Sequence, residues 1–182
     1  SNAAAALVAV EAFFGEQELD YEAVVAGFAA VQSPGRCEIL HRDPTIIIDA
    51  AHNPHGAKAL RQTIENEFTF DEVIGIFAAL GDKDVEGALI ELEKVMSSII
   101  VTVNSSPRAL GLAELEKIAI RVFGLDRVFT ADSLEDAIEK AVKDSIRPLS
   151  EESIGILITG SVVTVGQART LVHRRYSGTT GS

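Results

Sequence analysis

Apolar and polar positions along this chain switch repeatedly between two periods. Short β-branched runs, such as Thr45-Ile46-Ile47-Ile48 and Ser98-Ile99-Ile100-Val101, alternate with longer stretches in which apolar residues recur every three or four positions, as at Ala57, Leu60, Ile64 and Phe68. The first pattern suits a strand buried on both faces, the second an amphipathic helix. Read in order, the pattern predicts strands over 37–40, 45–48, 72–80, 98–103, 127–130 and 153–159. Between and after them it predicts helices over 54–68, 85–96, 111–123, 133–146 and 162–174. Pro54 suits a first helical turn, Gly124 a helix end, and Ser133 a helix cap followed by Glu135 and Asp136 in the first turn. Strand and helix in strict alternation imply right-handed βαβ units. The expected fold is therefore α/β: a Rossmann-like three-layer sandwich, with a mostly parallel sheet and helices on both faces.

The first part of the chain reads differently. Ala4 to Phe14 is Ala-rich and helical in character, Gly15 stops it, and Asp20 can cap a second short helix to about Ala30. Ser33-Pro34-Gly35 then breaks the chain. We expect residues 1–32 to be a helical linker from an upstream domain, 33–174 the α/β domain and 175–182 a disordered tail. Ser1-Asn2-Ala3 resembles a remnant of tag removal, which suggests that the natural chain continues upstream.

Composition narrows the class. The apolar fraction is 47% with only 5% aromatic residues and no Trp, so the core must be built from Ala, Val, Ile and Leu. A formal net charge of -11 disfavours nucleic acid and anionic membranes as partners. No apolar run approaches the roughly 18 residues needed to span a bilayer. The single cysteine, Cys37, excludes an intramolecular disulfide and fits a reducing, cytoplasmic setting. It is expected to be a small buried residue.

Ligands of open parallel sheets bind beyond the carboxyl ends of the strands. Asp49 follows the apolar run 45–48, and His52 stands on the short loop before Asn53-Pro54. The carboxylate can accept ribose hydroxyls and the imidazole can meet a base or a phosphate; alternatively, Asp49 caps the loop and His52 is merely exposed. Lys83, within Gly81-Asp82-Lys83-Asp84, offers a cation for a substrate carboxylate, or one member of a solvated charge cluster. Arg108, after Ser105-Ser106-Pro107, is an anion ligand or a solvated loop residue. Thr159-Gly160-Ser161 lets backbone amides approach an anion at a helix start, with Ser161 also a plausible cap.

Several familiar signatures are missing. The chain has no G-x-x-x-x-G-K-[ST], no G-x-G-x-x-G and no G-x-S-x-G. His52 and His55 straddle Pro54 and lack a third ligand for zinc.

The run Ser33-Pro34-Gly35-Arg36-Cys37-Glu38, then Arg42-Asp43-Pro44 and Ile48-Asp49-Ala50-Ala51-His52-Asn53-Pro54-His55, resembles the C-terminal domain of the folylpolyglutamate synthase and dihydrofolate synthase family, within the Mur ligase superfamily. The likeness continues through Gly81-Asp82-Lys83-Asp84, Ser106-Pro107-Arg108-Ala109 and Thr159-Gly160-Ser161-Val162-Val163-Thr164. It covers nearly the whole chain, with Ala50-Ala51 where the folate branch usually has Gly-Ala. The resemblance implies an ATP-dependent ligase that adds L-glutamate to folate or dihydropteroate through an acyl phosphate. It implies that Arg36, Asp49 and His52 contact ATP and that Lys83 and Ser161 hold the incoming amino acid. No catalytic group and no metal ligand is implied in this chain. The P-loop and the Mg2+ ligands are expected on a preceding domain of the same chain, so this domain alone is expected to be inactive. Another Mur-type amino-acid ligase, or a non-catalytic α/β regulatory module, is the alternative.

Overall fold

The computed structural model describes residues 2–15, 20–30, 35–146 and 153–177. The chain divides into two compact units, Ser1–Ser33 and Pro34–Ser182. The first holds α1 (Asn2–Phe14) and α2 (Tyr21–Ala30). Asp20 accepts the Glu22 amide at 2.9 Å and so caps α2. The expected break at Ser33-Pro34 lies outside the described residues.

The second unit runs β1 (Glu38–Arg42), β2 (Thr45–Ile48), α3 (Pro54–Glu67), β3 (Glu72–Phe77), α4 (Val85–Leu92), β4 (Ser98–Val101), α5 (Leu112–Phe123), β5 (Val128–Thr130), α6 (Leu134–Ser145), β6 (Ile154–Thr159) and α7 (Val162–Ser177). The strands form one six-stranded sheet in the order β1-β2-β6-β3-β4-β5. Among the described strands only the β1–β2 pair is antiparallel, joined through the cis Asp43-Pro44 peptide; the other strand pairs are parallel. Side chains of each strand alternate between the two faces. Ile47, Val73, Phe77, Ile99 and Leu157 meet α3, α4 and α5 on one face. Ile46, Ile48, Ile74, Ile76, Ile100, Ile156 and Ile158 meet α6 and α7 on the other. The three-layer architecture follows from that parity.

Some boundaries differ from the sequence expectation, each for a tertiary reason. The helix expected to reach Met96 ends at Leu92, because Arg127 from far along the chain donates to the Glu93 and Met96 carbonyls at 3.3 and 2.7 Å. These are carbonyls that a continuing helix would have bonded itself. Arg127 itself lies in a 3-10 turn rather than in β5. The strand expected to reach Leu80 stops at Phe77; beyond it Leu80 bridges antiparallel to Ala109 instead. The β4 strand likewise ends at Val101 rather than Val103. Cys37 precedes β1 with φ 44°, outside extended geometry, and is half-buried rather than fully buried. Residues 175–177, expected in the tail, instead belong to α7, which continues to Ser177 with His41 stacked on Tyr176 at 3.5 Å; residues 178–182 lie outside the described residues.

Candidate functional site

Because β2, β6, β3 and β4 are mutually parallel, their carboxyl ends open along one edge of the sheet. The helices that follow β2 and β3 turn to one face, whereas α7, after the intervening β6, turns to the other. The chain therefore parts on both sides of the β6 exit, which is where an open α/β sheet receives its ligand.

At the β2 exit, Asp49 is buried. Its Oδ2 accepts the Cys37 amide at 2.8 Å and its Oδ1 accepts the Ala51 amide at 2.7 Å. Burial pushes this carboxyl above the usual Asp range, against the pull of both amides and of the Arg36 guanidinium. The Gly35 carbonyl accepts the Ala50 amide at 2.8 Å. Gly35, at φ 74°, and Cys37, at φ 44°, are both left-handed, so the backbone doubles back around Arg36 and leaves its side chain exposed. His52 Nδ1 lies 3.0 Å from the Ala50 carbonyl. A carbonyl only accepts, so Nδ1 carries the proton and Nε2 remains for a ligand. Asn53 caps α3 by accepting the Gly56 amide at 2.8 Å. The sequence run from Asp49 to Pro54 thus builds a strand end, a turn and a helix start within six residues. It draws Arg36 in through the Asp49–Cys37 bond.

At the β6 exit, Gly160 has φ 113°, and a Cβ there would stand 2.5 Å from the Ala78 carbonyl oxygen. Glycine is what lets the β6 and β3 exits touch. Ser161 is 2% exposed. Its Oγ accepts from Asn104 Nδ2 at 3.2 Å and from the Thr164 amide at 3.0 Å, and it lies 2.8 Å from Thr164 Oγ1. Thr164 spends its only hydroxyl proton on the Ala78 carbonyl at 2.7 Å, so Ser161 donates in the Ser161–Thr164 bond. The Ser161 hydroxyl is then saturated: two bonds accepted, one donated. Asn104 completes the knot by donating to Thr164 Oγ1 at 3.1 Å and accepting the Ser106 amide at 3.0 Å.

At the β3 exit, Lys83 is about one-third exposed and lies 3.4 Å from Asp82. It borders a cavity of about 210 Å³ with Gly81, Glu86, Leu110 and Glu114. Arg108 is 70% exposed and reaches Asp82 at 3.8 Å, a solvated pair rather than a clamp. Asp84 caps α4 through the Gly87 amide at 2.9 Å. Asp49, Asp82 and Asp84 thus have separate partners: the Cys37 and Ala51 amides, Lys83, and the Gly87 amide. Sequence reasoning singled out Ser161 but passed over Asn104 and Thr164, whose importance comes from bonds between different strand exits. A buried polar pair is visible only once the exits are adjacent. A larger cavity, about 580 Å³, lies at the opposite, amino end of the strands, lined by Glu72, Asp126, Arg127 and Asp144 among others.

Residues 35–162 match the family described as the Mur ligase, glutamate ligase domain. A dihydrofolate synthase/folylpolyglutamate synthase of Mycobacterium tuberculosis is 50% identical over 184 residues, covering 95% of this chain and 38% of the relative. The Escherichia coli counterpart is 30% identical over 177 residues, covering 97% and 39%. Among solved structures, a Mycobacterium tuberculosis folylpolyglutamate synthase complexed with ADP and AMPPCP superposes with a TM-score of 0.85 at 54% identity, covering 92% of this chain and 38% of that one. A bifunctional folylpolyglutamate synthase/dihydrofolate synthase with Mn, AMPPNP and L-glutamate bound gives a TM-score of 0.73 at 25% identity, covering 87% and 36%. The chain thus spans well under half the length of the relatives it matches.

Proposed function

We propose, from the premise that the chain belongs to the Mur ligase glutamate ligase domain family, that it is the part of an ATP-dependent ligase which closes over ATP and delivers L-glutamate to folate or dihydropteroate. The observation that carries this reading is the parting of the sheet at β6, with Arg36, Asp49 and His52 on its β2 side and Lys83 beyond it on β3. In the reaction, a carboxylate oxygen of the pterin substrate attacks the γ-phosphorus of ATP, giving an acyl phosphate and ADP. The glutamate amine then attacks the acyl carbon, the C–N bond forms, inorganic phosphate leaves and the amine loses a proton.

The residues of this chain bind and orient rather than transfer protons. Arg36 offers a planar fork of donors suited to phosphate oxygens. His52 offers Nε2 on the same edge. Asp49 fixes the turn that bears Arg36, and it retains unfilled lone pairs for a ribose hydroxyl. Lys83 is the cation for a glutamate carboxylate. Ser161 serves that side by locking the turn over which the amino acid lies, since its hydroxyl is already saturated. Placement of the amine against the acyl carbon is the main contribution such a domain makes to rate. Magnesium would accompany the ATP, with its protein ligands expected on the preceding domain, as the family resemblance implies.

The test is made on the intact ligase that carries this domain. It should form a glutamyl amide from ATP, glutamate and folate or dihydropteroate, and Asp49→Ala should raise the ATP requirement by about tenfold. A ligase that glutamylates neither acceptor would remove the reading; an unchanged ATP requirement would remove Asp49 from the site.

A further inference from the structure

Asp49 holds only one side of the turn that presents Arg36. On the other side the Gly35 amide donates to Glu38 Oε2 at 2.7 Å, and the same oxygen receives Arg169 Nη2 from α7. Gly35 also packs against α7, since a Cβ at that position would lie 2.8 Å from Val165 Cγ1. The Arg36 turn is therefore pinned from two directions: by Asp49 at the β2 exit, and by a Glu38–Arg169 pair anchored on α7.

We propose that Glu38 and Arg169 are the positioning pair for Arg36, setting nucleotide affinity without touching the nucleotide; this rests on the nucleotide-binding role given to Arg36 above. Two features argue against a purely stabilising pair. Both side chains are about one-third exposed, at 39% for Arg169 and 32% for Glu38, where ion pairs contribute little to folding. Arg169 Nε is buried with no hydrogen-bond partner among the described residues, an arrangement that costs stability. A guanidinium placed for stability alone would point its donors at acceptors. This one gives up a donor to bring Nη2 onto the carboxylate that holds Gly35.

The geometry also joins the two halves of the site. The first turn of α7 bears Thr164, which is tied to Ser161 on the amino-acid side. Little more than a turn further along, the same helix bears Arg169, tied to the nucleotide side. A shift of α7 would move both.

The experiment measures KM for ATP and for glutamate, and the ATP dissociation constant, in the intact ligase with Arg169→Ala, Arg169→Lys and Glu38→Gln, each also in an Arg36→Ala background. Arg169→Ala and Glu38→Gln should weaken ATP by about tenfold and change the glutamate KM by less than about twofold, with Arg169→Lys recovering part of the loss. In the Arg36→Ala background neither should weaken ATP further, because the residue they position is gone. Unchanged ATP binding, equal losses for both substrates, or the same tenfold loss without Arg36 would overturn the proposal. Should Arg169→Ala fail to fold, Arg169→Lys and Glu38→Gln decide alone. The dissociation constant separates the two levels of inference: an intact chain that binds ATP but makes no glutamyl amide refutes the proposed reaction while the positioning pair is still judged on ATP binding.

Discussion

At the residue scale, Cys37 is unusual. It adopts a left-handed backbone, donates its amide to Asp49 and keeps its thiol half-buried. Burial first, then the negative charges of Asp49 and Glu67, push the thiol up to about 11 from an ordinary 9.0. The sign follows directly. A raised folded value favours the thiol form, so this group's contribution to stability is full below pH 9.0 and is lost as pH rises through about 11. The thiolate is the reactive form. Alkylation by iodoacetamide should therefore be slower than for an unfolded control at pH 8, and should accelerate steeply as pH approaches 11. A rate equal to the unfolded control at pH 8 would contradict the burial argument. Sequence alone foretold a small buried cysteine, and it was wrong about both the burial and the strand. The left-handed turn arises from Asp49, twelve residues on, drawing the Cys37 amide toward itself.

At the element scale, β6 carries the sheet. Ile156 and Ile158 are completely buried and lie between β2 and β3. Ile156→Ala should lower unfolding free energy by about 3–4 kcal/mol, and Ile90→Ala, at a half-exposed α4 position, by less than about 1 kcal/mol. Urea denaturation followed by circular dichroism checks both; equal losses would mean that β6 is not central. Most of this level was legible beforehand. β-Branched runs such as 45–48 and three-to-four spacing such as Ala57, Leu60 and Ile64 are local signals, and burial on both faces leaves them little alternative. The errors came where distant residues intervene: Arg127 ending α4, and the 108–110 segment pairing with 79–81 in place of a longer β3. The residues of the proposed site divide in the same way. Asp49, His52 and Lys83 announce themselves by following apolar runs. Asn104, Glu38 and Arg169 do not, since each acts across a long sequence gap.

At the scale of the whole molecule, Arg36, Asp49 and His52, the residues proposed to meet the nucleotide, lie along a single, open edge of the sheet. Among the described residues no helix is long and apolar enough to cross a membrane. On the proposed reading, ATP is gripped between this edge and a P-loop that the present sequence does not contain. The 182-residue chain by itself should therefore bind ATP at least about a hundredfold more weakly than the intact ligase and form no glutamyl product. Calorimetry with both proteins checks the first point and a product assay the second; glutamylation by the short chain would overturn the division of labour.

The two ends of the sheet carry a different consequence. β1, at one edge, is interrupted by a register shift between Ile39 and His41 and leads into Pro44. β5, at the other, is only three residues long, with Lys140 lying 4.7 Å over the ring of Phe129. An edge that is bulged, or short and guarded by a cation, makes a poor template for an incoming strand. A sheet this rich in isoleucine is thus shielded from growing by strand addition between molecules. Strand addition from a second molecule would meet a bulge at one margin and a three-residue strand at the other.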